Sequence, residues 1–431
     1  MNRKIFLVSL LVSFFIRSYG APDIEFHKFF ADSTIRIDYI FSGMTGDARI
    51  SLSGIEMQPC WAGRRINLNH VPFQGNGQII VKDNNSGDTI YVNSFSSLFQ
   101  EWLSTPEAEK TNEAMENTFL VPAPRDTASI ELVLFDNYRR QMAAHKFLYS
   151  PDDILVRKVD GQNDCPYKYI HKSGSPVEKI DVAILAEGYT MEEMDSFYLH
   201  AEKAVKSILS HEPFKGNADK FNFLAVASPS KDSGVSVPKY GRWKDTAFSS
   251  HYSTFYSDRY LTTSDVKSIH DALRGIPYEH IIILANEEEY GGGGIFNFYT
   301  LTTSKNEMFW PVVTHEFGHS FGGLADEYFY EDDLMDNTYP DGVEPWEGNL
   351  TTLTDFDSKW KDMLNPDQAI PTQADENVEV GVFEGGGYRF TGVYRPVDKS
   401  CRMRFNQAQA FCPVCQRTIQ TLIDFYTVEE K

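Results

Sequence analysis

The sequence predicts an N-terminal all-β sandwich followed by an α/β (α+β) domain with a mixed sheet and one helix that carries the chemistry. Three observations point there. Residues 34–135 alternate apolar and polar positions in short runs broken by turn residues, the pattern of half-buried strands. From residue 179 onward, nearly continuous apolar runs alternate with helical stretches, as in a sheet covered by helices. The pentapeptide His315-Glu316-Phe317-Gly318-His319 then sets two histidines four residues apart in an apolar helical context, on one face of one helix.

In the first region the strands fall at 34–41, 48–57, 78–82, 89–92, 118–121 and 129–135. Short strands separated by turns such as Asp83-Asn84-Asn85-Ser86-Gly87-Asp88 suggest an antiparallel sandwich. Residues 97–117, with Glu101-Trp102-Leu103 and an Ala/Glu/Lys run, read as an inserted helix or exposed loop. No catalytic constellation is visible in this half, and no repeat or low-complexity block interrupts the chain.

The ends and composition bound the function. Residues 1–20 carry a basic start (Arg3, Lys4), an apolar run over 5–16 and a small-residue end at Ser18-Tyr19-Gly20. That is the pattern of a secretory signal peptide. Its apolar run is too short to span a bilayer, and no later segment reads as an integral membrane span. The expectation is an exported protein, secreted or periplasmic. Removing Arg3, Lys4 and Arg17 with the signal takes the formal net charge from −21 to −24. So acidic a surface argues against nucleic acid and anionic membranes as partners.

The 431 residues exceed one ordinary domain, so two are expected: 21–158 as the sandwich and 176–431 as the catalytic unit. The segment 160–175, rich in Gly, Asp, Lys and Ser, is the boundary. An aromatic content of 14% supports well-filled cores on both sides of it.

Beyond the boundary, 179–186 reads as a buried strand and 191–210 as a helix whose start carries a Thr190/Glu193 capping box. Strands follow at 221–227 and 279–285, with a helical stretch at 264–273 between them. The run Gly291-Gly292-Gly293-Gly294 lacks the spacing and the lysine of a phosphate loop, and reads as a turn framing a cleft. Residues 296–302 read as an edge strand to which an extended substrate could add by backbone pairing. The chemistry-bearing helix spans 308–321, with Pro311 tolerated in its first turn and Gly322-Gly323 as its stop.

Two histidines at this spacing can grip one metal ion, and the glutamate between them faces the ion's open side, where it can accept a proton from water. Leu324-Ala325-Asp326-Glu327-Tyr328 places carboxylates just past the glycine turn, where a third ligand is needed.

With Gly322, Gly323, Asp326 and the later Met403, this motif resembles the zincin metallopeptidases and their metzincin branch. The longer string from His315 to Tyr328, with Ser400-Cys401-Arg402-Met403-Arg404 and Phe411-Cys412-Pro413-Val414-Cys415, is similar to the bacterial IgA-peptidase family of zinc metallopeptidases. The resemblance covers roughly 180–426, and the β-rich N-terminal part resembles the accessory domain of exported members. It implies a zincin-type catalytic domain and a bound Zn²⁺. The sixth residue after His319, where the metzincin pattern places the third ligand, is Ala325. Asp326, one residue further, is therefore the expected ligand with His315 and His319, and Glu327 stands in reserve.

Glu316 is the expected general base. Met403 is expected as packing under the metal. Phe405 stands where some metzincins carry a transition-state tyrosine, which leaves Tyr394 as a substitute.

Five cysteines are present, and export favours their pairing. A disulfide from Cys401 to Cys412 or Cys415, tying the methionine turn to the last helix, is the expectation. A three-thiol structural zinc site has only three visible ligands and no nearby histidine. The acidic residues Glu331, Asp332, Asp333, Asp336 and Asp341 lack the spacing of a calcium loop.

The resulting reading is a secreted zinc endopeptidase acting on proteins or peptides, with immunoglobulin A permitted as a substrate by the family resemblance. Two rivals stand beside it. One is a silent zincin-fold adhesin for a host protein or glycan, against which Glu316 argues, since a pure binder has no use for a base beside the metal. The other is a zinc amidase acting on cell-wall peptides, which the same residues would serve.

Overall fold

The computed structural model describes residues 24–329, 338–374 and 378–427. The expected signal peptide at 1–20 and the acidic residues Glu331, Asp332, Asp333 and Asp336 lie outside the described residues.

The N-terminal region comprises α1 (Phe26–Phe29), β1 (Phe30–Met44), β2 (Asp47–Pro59), β3 (Gly77–Asp83), β4 (Thr89–Phe95), α2 (Leu98–Trp102), β5 (Glu113–Pro124), β6 (Ala128–Phe135), β7 (Gln141–Tyr149) and β8 (Arg157–Lys158). These strands form two four-stranded sheets, ordered β5-β1-β2-β8 and β4-β3-β6-β7. The alternation in β1 sends Ile35, Ile37, Tyr39 and Phe41 inward, where they meet Ile79, Val81, Ile130, Leu132 and Leu134 in one shared core;. All six strands read from the sequence are present, most of them longer than expected. β7 was not anticipated, because it is an edge strand with a largely solvated pattern. The β3–β4 turn closes as its residues dictate: Asp83 Oδ2 accepts the Ser86 amide at 2.7 Å, and Gly87 takes φ +78°;.

The second region comprises β9 (Tyr167–His171), β10 (Ile180–Glu187), α3 (Met194–Ile208), β11 (Phe221–Val226), α4 (Val266–Ala272), β12 (His280–Ala285), β13 (Gly292–Ile295), β14 (Tyr299–Thr303), α5 (Phe309–Ser320), β15 (Phe383–Gly386), β16 (Arg389–Arg395) and α6 (Pro413–Thr427). Six strands make a mixed sheet ordered β13-β14-β12-β10-β11-β9. β11, β10, β12 and β14 run parallel, while β9 and β13 add antiparallel at the two edges. The fully buried, mostly apolar runs of β10, β11 and β12 are what strands covered on both faces require;. The architecture is α+β: a β region followed by a mixed sheet flanked by a few helices.

Two expectations need correction here. β9 falls inside the segment read as a boundary. Residues 296–302 do not form the sheet edge: β14 is an inner strand between β12 and β13, and the edge is the glycine run itself. Strand propensity hides this, because glycine has no side chain to pack on a pleated surface.

The two regions are bonded to each other at many points. Arg36, nearly fully buried, pairs with Asp271 at 2.6 Å, and Arg274 pairs with Glu56 at 2.9 Å. The Arg64 amide donates to Glu279 at 2.8 Å, and its guanidinium lies over the Phe425 ring at 4.7 Å.

Candidate metal centre

α5 is buried along nearly its whole length, so its polar residues must find partners inside the protein. On one side Ser207 of α3 hydrogen-bonds the Trp310 carbonyl at 2.5 Å and the Thr314 hydroxyl at 2.8 Å. On another side the glycine strand β13 presses against it. A Cβ on Gly294 would come within 2.3 Å of the Glu316 carbonyl oxygen, and one on Gly292 within 2.8 Å of Glu316 Oε1. Gly318 has the same logic: a Cβ there would sit 2.8 Å from Met403 Sδ. Glycine in the motif is what lets Met403 pack directly beneath the helix. Gly323, at φ +58°, then ends the helical path;.

The helix end and the segment after its glycine turn bring three potential ligand atoms together. His315 Nε2 and His319 Nε2 lie 3.1 Å apart. Asp326 Oδ1 lies 3.1 Å from the first and 3.2 Å from the second. Each imidazole is fixed from behind. His315 Nδ1 donates to the Arg402 carbonyl at 2.8 Å, and His319 Nδ1 to the Leu324 carbonyl at 2.6 Å. Those bonds put the ring proton on Nδ1 and leave both Nε2 lone pairs facing Asp326, the tautomer a metal ligand needs. Asp326 Oδ1 is buried and takes no ordinary hydrogen bond. With both rings in that tautomer the three facing atoms are all acceptors, and they repel unless a cation, a proton or a metal ion, lies between them. Around a tetrahedral ion with bonds of about 2.0–2.1 Å, ligand atoms sit roughly 3.3 Å apart, so the observed triangle fits a metal. The Glu316 carboxylate stands beside it, with a ligand-type atom within 4.8 Å of both imidazoles.

The charges are strongly coupled. Burial disfavours the charged form of His319, but the Asp326 carboxylate outweighs it and raises His319 to about 9. Burial would also raise Asp326; His319 and His315 override that and hold it well below the usual carboxylate range. Glu316 is raised, chiefly by burial, with the imidazoles opposing.

Of the two carboxylates expected near the helix, Asp326 joins the histidines. Glu327, adjacent in sequence, turns away into a separate buried group with Cys401, Cys412 and Cys415. The expected disulfide is not formed. All five cysteines are free thiols, and Cys401 Sγ and Cys415 Sγ are 3.7 Å apart, against about 2.05 Å for a bond. Met403 lies under α5 as anticipated.

The phenol that meets the cluster is Tyr388, not Tyr394, which sits on β16 with its backbone bridged to Thr351. Tyr388 donates its hydroxyl proton to Asp326 Oδ2. It stands in the tight β15–β16 turn at φ +63°, a costly position for a tyrosine;. The turn is tied down by Gly387 donating to the Asp326 carbonyl at 2.9 Å and Tyr388 donating to the Tyr328 carbonyl at 3.2 Å.

Other groups were invisible in the sequence. The Tyr328 ring lies nearly parallel to His315, at a centroid distance of 6.4 Å, and the Arg259 guanidinium lies over Tyr328 at 5.9 Å. Tyr260 bridges the glycine strand at Gly292 and donates its hydroxyl to Glu101 of α2. The inserted segment of the sandwich thus reaches the rim of the site. Burial pushes Glu101 up to about 7. Only the glycine run could have signalled this rim, and it carries no chemistry of its own.

Comparison with known families places these features. A family model described as IgA Peptidase M64 matches residues 169–379 and 372–423. A second, described as Peptidase M64 N-terminus, matches residues 25–146. No curated protein matches the chain.

Proposed function

The chain belongs to the M64 family of IgA peptidases, and from that premise we propose that it is an exported zinc-dependent endopeptidase whose centre is His315, His319 and Asp326, with Glu316 as general base. The family makes it a metallopeptidase acting on protein or peptide. One observation carries the finer assignment: both imidazoles are locked by carbonyls at Nδ1, so their Nε2 atoms and Asp326 Oδ1 converge at 3.1–3.2 Å.

Two imidazoles and one carboxylate form a donor set that would suit catalytic zinc. A zinc ion held there supplies Lewis acidity and makes water nucleophilic at neutral pH. Asp326 anchors the set with its Oδ1, while Tyr388 fixes the other oxygen and so the carboxylate's orientation;. Glu316 accepts the proton of the attacking water at its carboxylate and returns it to the leaving amine. Burial, which raises its pKa, favours the first of these transfers;. β13 is the outermost strand of the sheet and runs beside Glu316 with three successive glycines. An extended peptide pairing with this strand beyond the Tyr260 bridge at Gly292 would bring its backbone close to the base;.

A peptide library read by mass spectrometry tests the reading, with immunoglobulin A, the protein in the family's description, as the first intact substrate. Wild-type protein is expected to cleave internal peptide bonds. Glu316→Gln keeps shape but cannot accept a proton, and is expected to lose roughly 10²–10⁴-fold in kcat while retaining metal. Equal turnover by a metal-loaded Glu316→Gln protein would remove Glu316 from the mechanism. N-terminal sequencing of protein secreted by its native host, expected to begin near residue 21, tests export.

A further inference from the structure

Behind the His/Asp centre, four potential ligands meet with no part in the proposed peptide hydrolysis. Cys401, Cys412, Cys415 and Glu327 are all at most 3% exposed, and one ligand atom from each lies within 4.8 Å of the others. We propose that this group is a second, structural metal site that takes one zinc-like dication through three thiolates and the Glu327 carboxylate.

The distances separate the alternatives. A disulfide requires sulfurs about 2.05 Å apart. Thiolates on a tetrahedral zinc, with bonds of about 2.3 Å, stand roughly 3.8 Å apart. Cys401 Sγ and Cys415 Sγ stand 3.7 Å apart. Glu327 Oε1 is 3.1 Å from Cys415 Sγ and 4.0 Å from Cys412 Sγ, so the carboxylate completes the fourth corner that the cysteines alone lack. Its other oxygen, Oε2, is buried without a hydrogen-bond partner among the described residues. A carboxylate inside a dry core costs several kcal/mol unless it is paired or bound to metal. Here Asn349 donates to Oε1 at 3.1 Å, and the other side chains of the group are thiols, which are metal ligands once deprotonated;.

The surrounding backbone suits thiolates. The Cys412 amide donates to Cys401 Sγ at 3.4 Å, and the Cys415 amide to Cys412 Sγ at 3.5 Å. Cys412 immediately precedes α6, a 15-residue helix whose N-terminus favours negative charge;. The buried Arg395 guanidinium lies close enough to Glu327 to feel its charge. Loading would release the thiol protons to solvent and bond three distant segments into one unit. Two of those segments serve the His/Asp centre. Asp326 adjoins Glu327, and the turn after Cys401 provides the Arg402 carbonyl that holds His315 and the Met403 carbonyl that accepts the Glu327 amide at 2.9 Å. Metal ligation would also explain how three adjacent thiols survive in an exported protein without pairing.

Metal analysis of protein purified without added metal tests this independently of the hydrolytic site. Wild type is expected to hold about two ions per chain, and both His315→Ala/His319→Ala and Cys412→Ser/Cys415→Ser about one. Loaded with Co²⁺, the histidine double variant is expected to show thiolate-to-cobalt charge-transfer absorption, which imidazole and carboxylate ligands cannot give. If the cysteine variant does not fold, that spectrum decides alone. In native wild type the three thiols should resist alkylation until a chelator is added. A folded histidine variant without metal or charge-transfer absorption would overturn the proposal. So would peptide mapping that finds Cys401 disulfide-bonded to Cys412 or Cys415.

Discussion

Asp326 and Glu327 are neighbours in the chain, yet they serve two clusters of opposite character. Asp326 meets two imidazoles at a helix end, with Glu316 beside it and a glycine strand alongside. Glu327 meets three thiols in the core, with Asn349 donating to its Oε1 at 3.1 Å. Nitrogen and oxygen donors with a free base and an accessible backbone strand make a site where substrate can arrive. Sulfur donors sealed by packing make one where nothing arrives and only stability is gained. One peptide unit joins them.

The widest break in this comparison comes from exchanging the two carboxylates' fates. Asp326→Ala is expected to remove the metal from the histidine pair and abolish turnover. Glu327→Ala should leave that metal in place and instead lower Tm by roughly 5–10 °C, since a closed structural site contributes to folding. Metal content and calorimetry on the two variants check this, and the reverse pattern would exchange the roles of the clusters.

A smaller effect is expected at Tyr388. Tyr388→Phe removes the hydroxyl that orients Asp326, and partners of that kind are worth about 10–100-fold in metal affinity. Competition with a chelator measures it; an unchanged affinity would make Tyr388 a packing residue. Smaller still is Gly292→Ala. The added methyl would lie 2.8 Å from Glu316 Oε1 and displace the base, so kcat should fall about tenfold with Tm almost unchanged. A fall in Tm without a fall in kcat would mean that the strand matters for folding and not for the base.

What could be read from the sequence was local. The His315/His319 pair follows from helical periodicity, and Asp326 lies seven residues beyond it, across one glycine turn. The central parallel strands β10, β11 and β12 announced themselves as mostly apolar runs. What could not be read came from afar or from residues without a pattern. Tyr388 reaches Asp326 from 62 residues away, in a hairpin whose glycines give no strand signal. The glycine run became the sheet edge because α5 leaves no room there for side chains, a constraint that exists only in three dimensions. Cys401, Cys412 and Cys415 suggested a disulfide because export favours pairing; the fourth group that changes their meaning, Glu327, lies 85 residues from Cys412 in the chain and looked like a reserve ligand for the histidines.

Anomalous diffraction at the zinc edge, from crystals of protein purified without added metal, tests the central claim most directly. The account predicts a peak about 2.0–2.2 Å from His315 Nε2, His319 Nε2 and Asp326 Oδ1, with the Glu316 carboxylate outside the coordination sphere. No peak at that position, or a peak there with Glu316 bound as a ligand in place of Asp326, would contradict it.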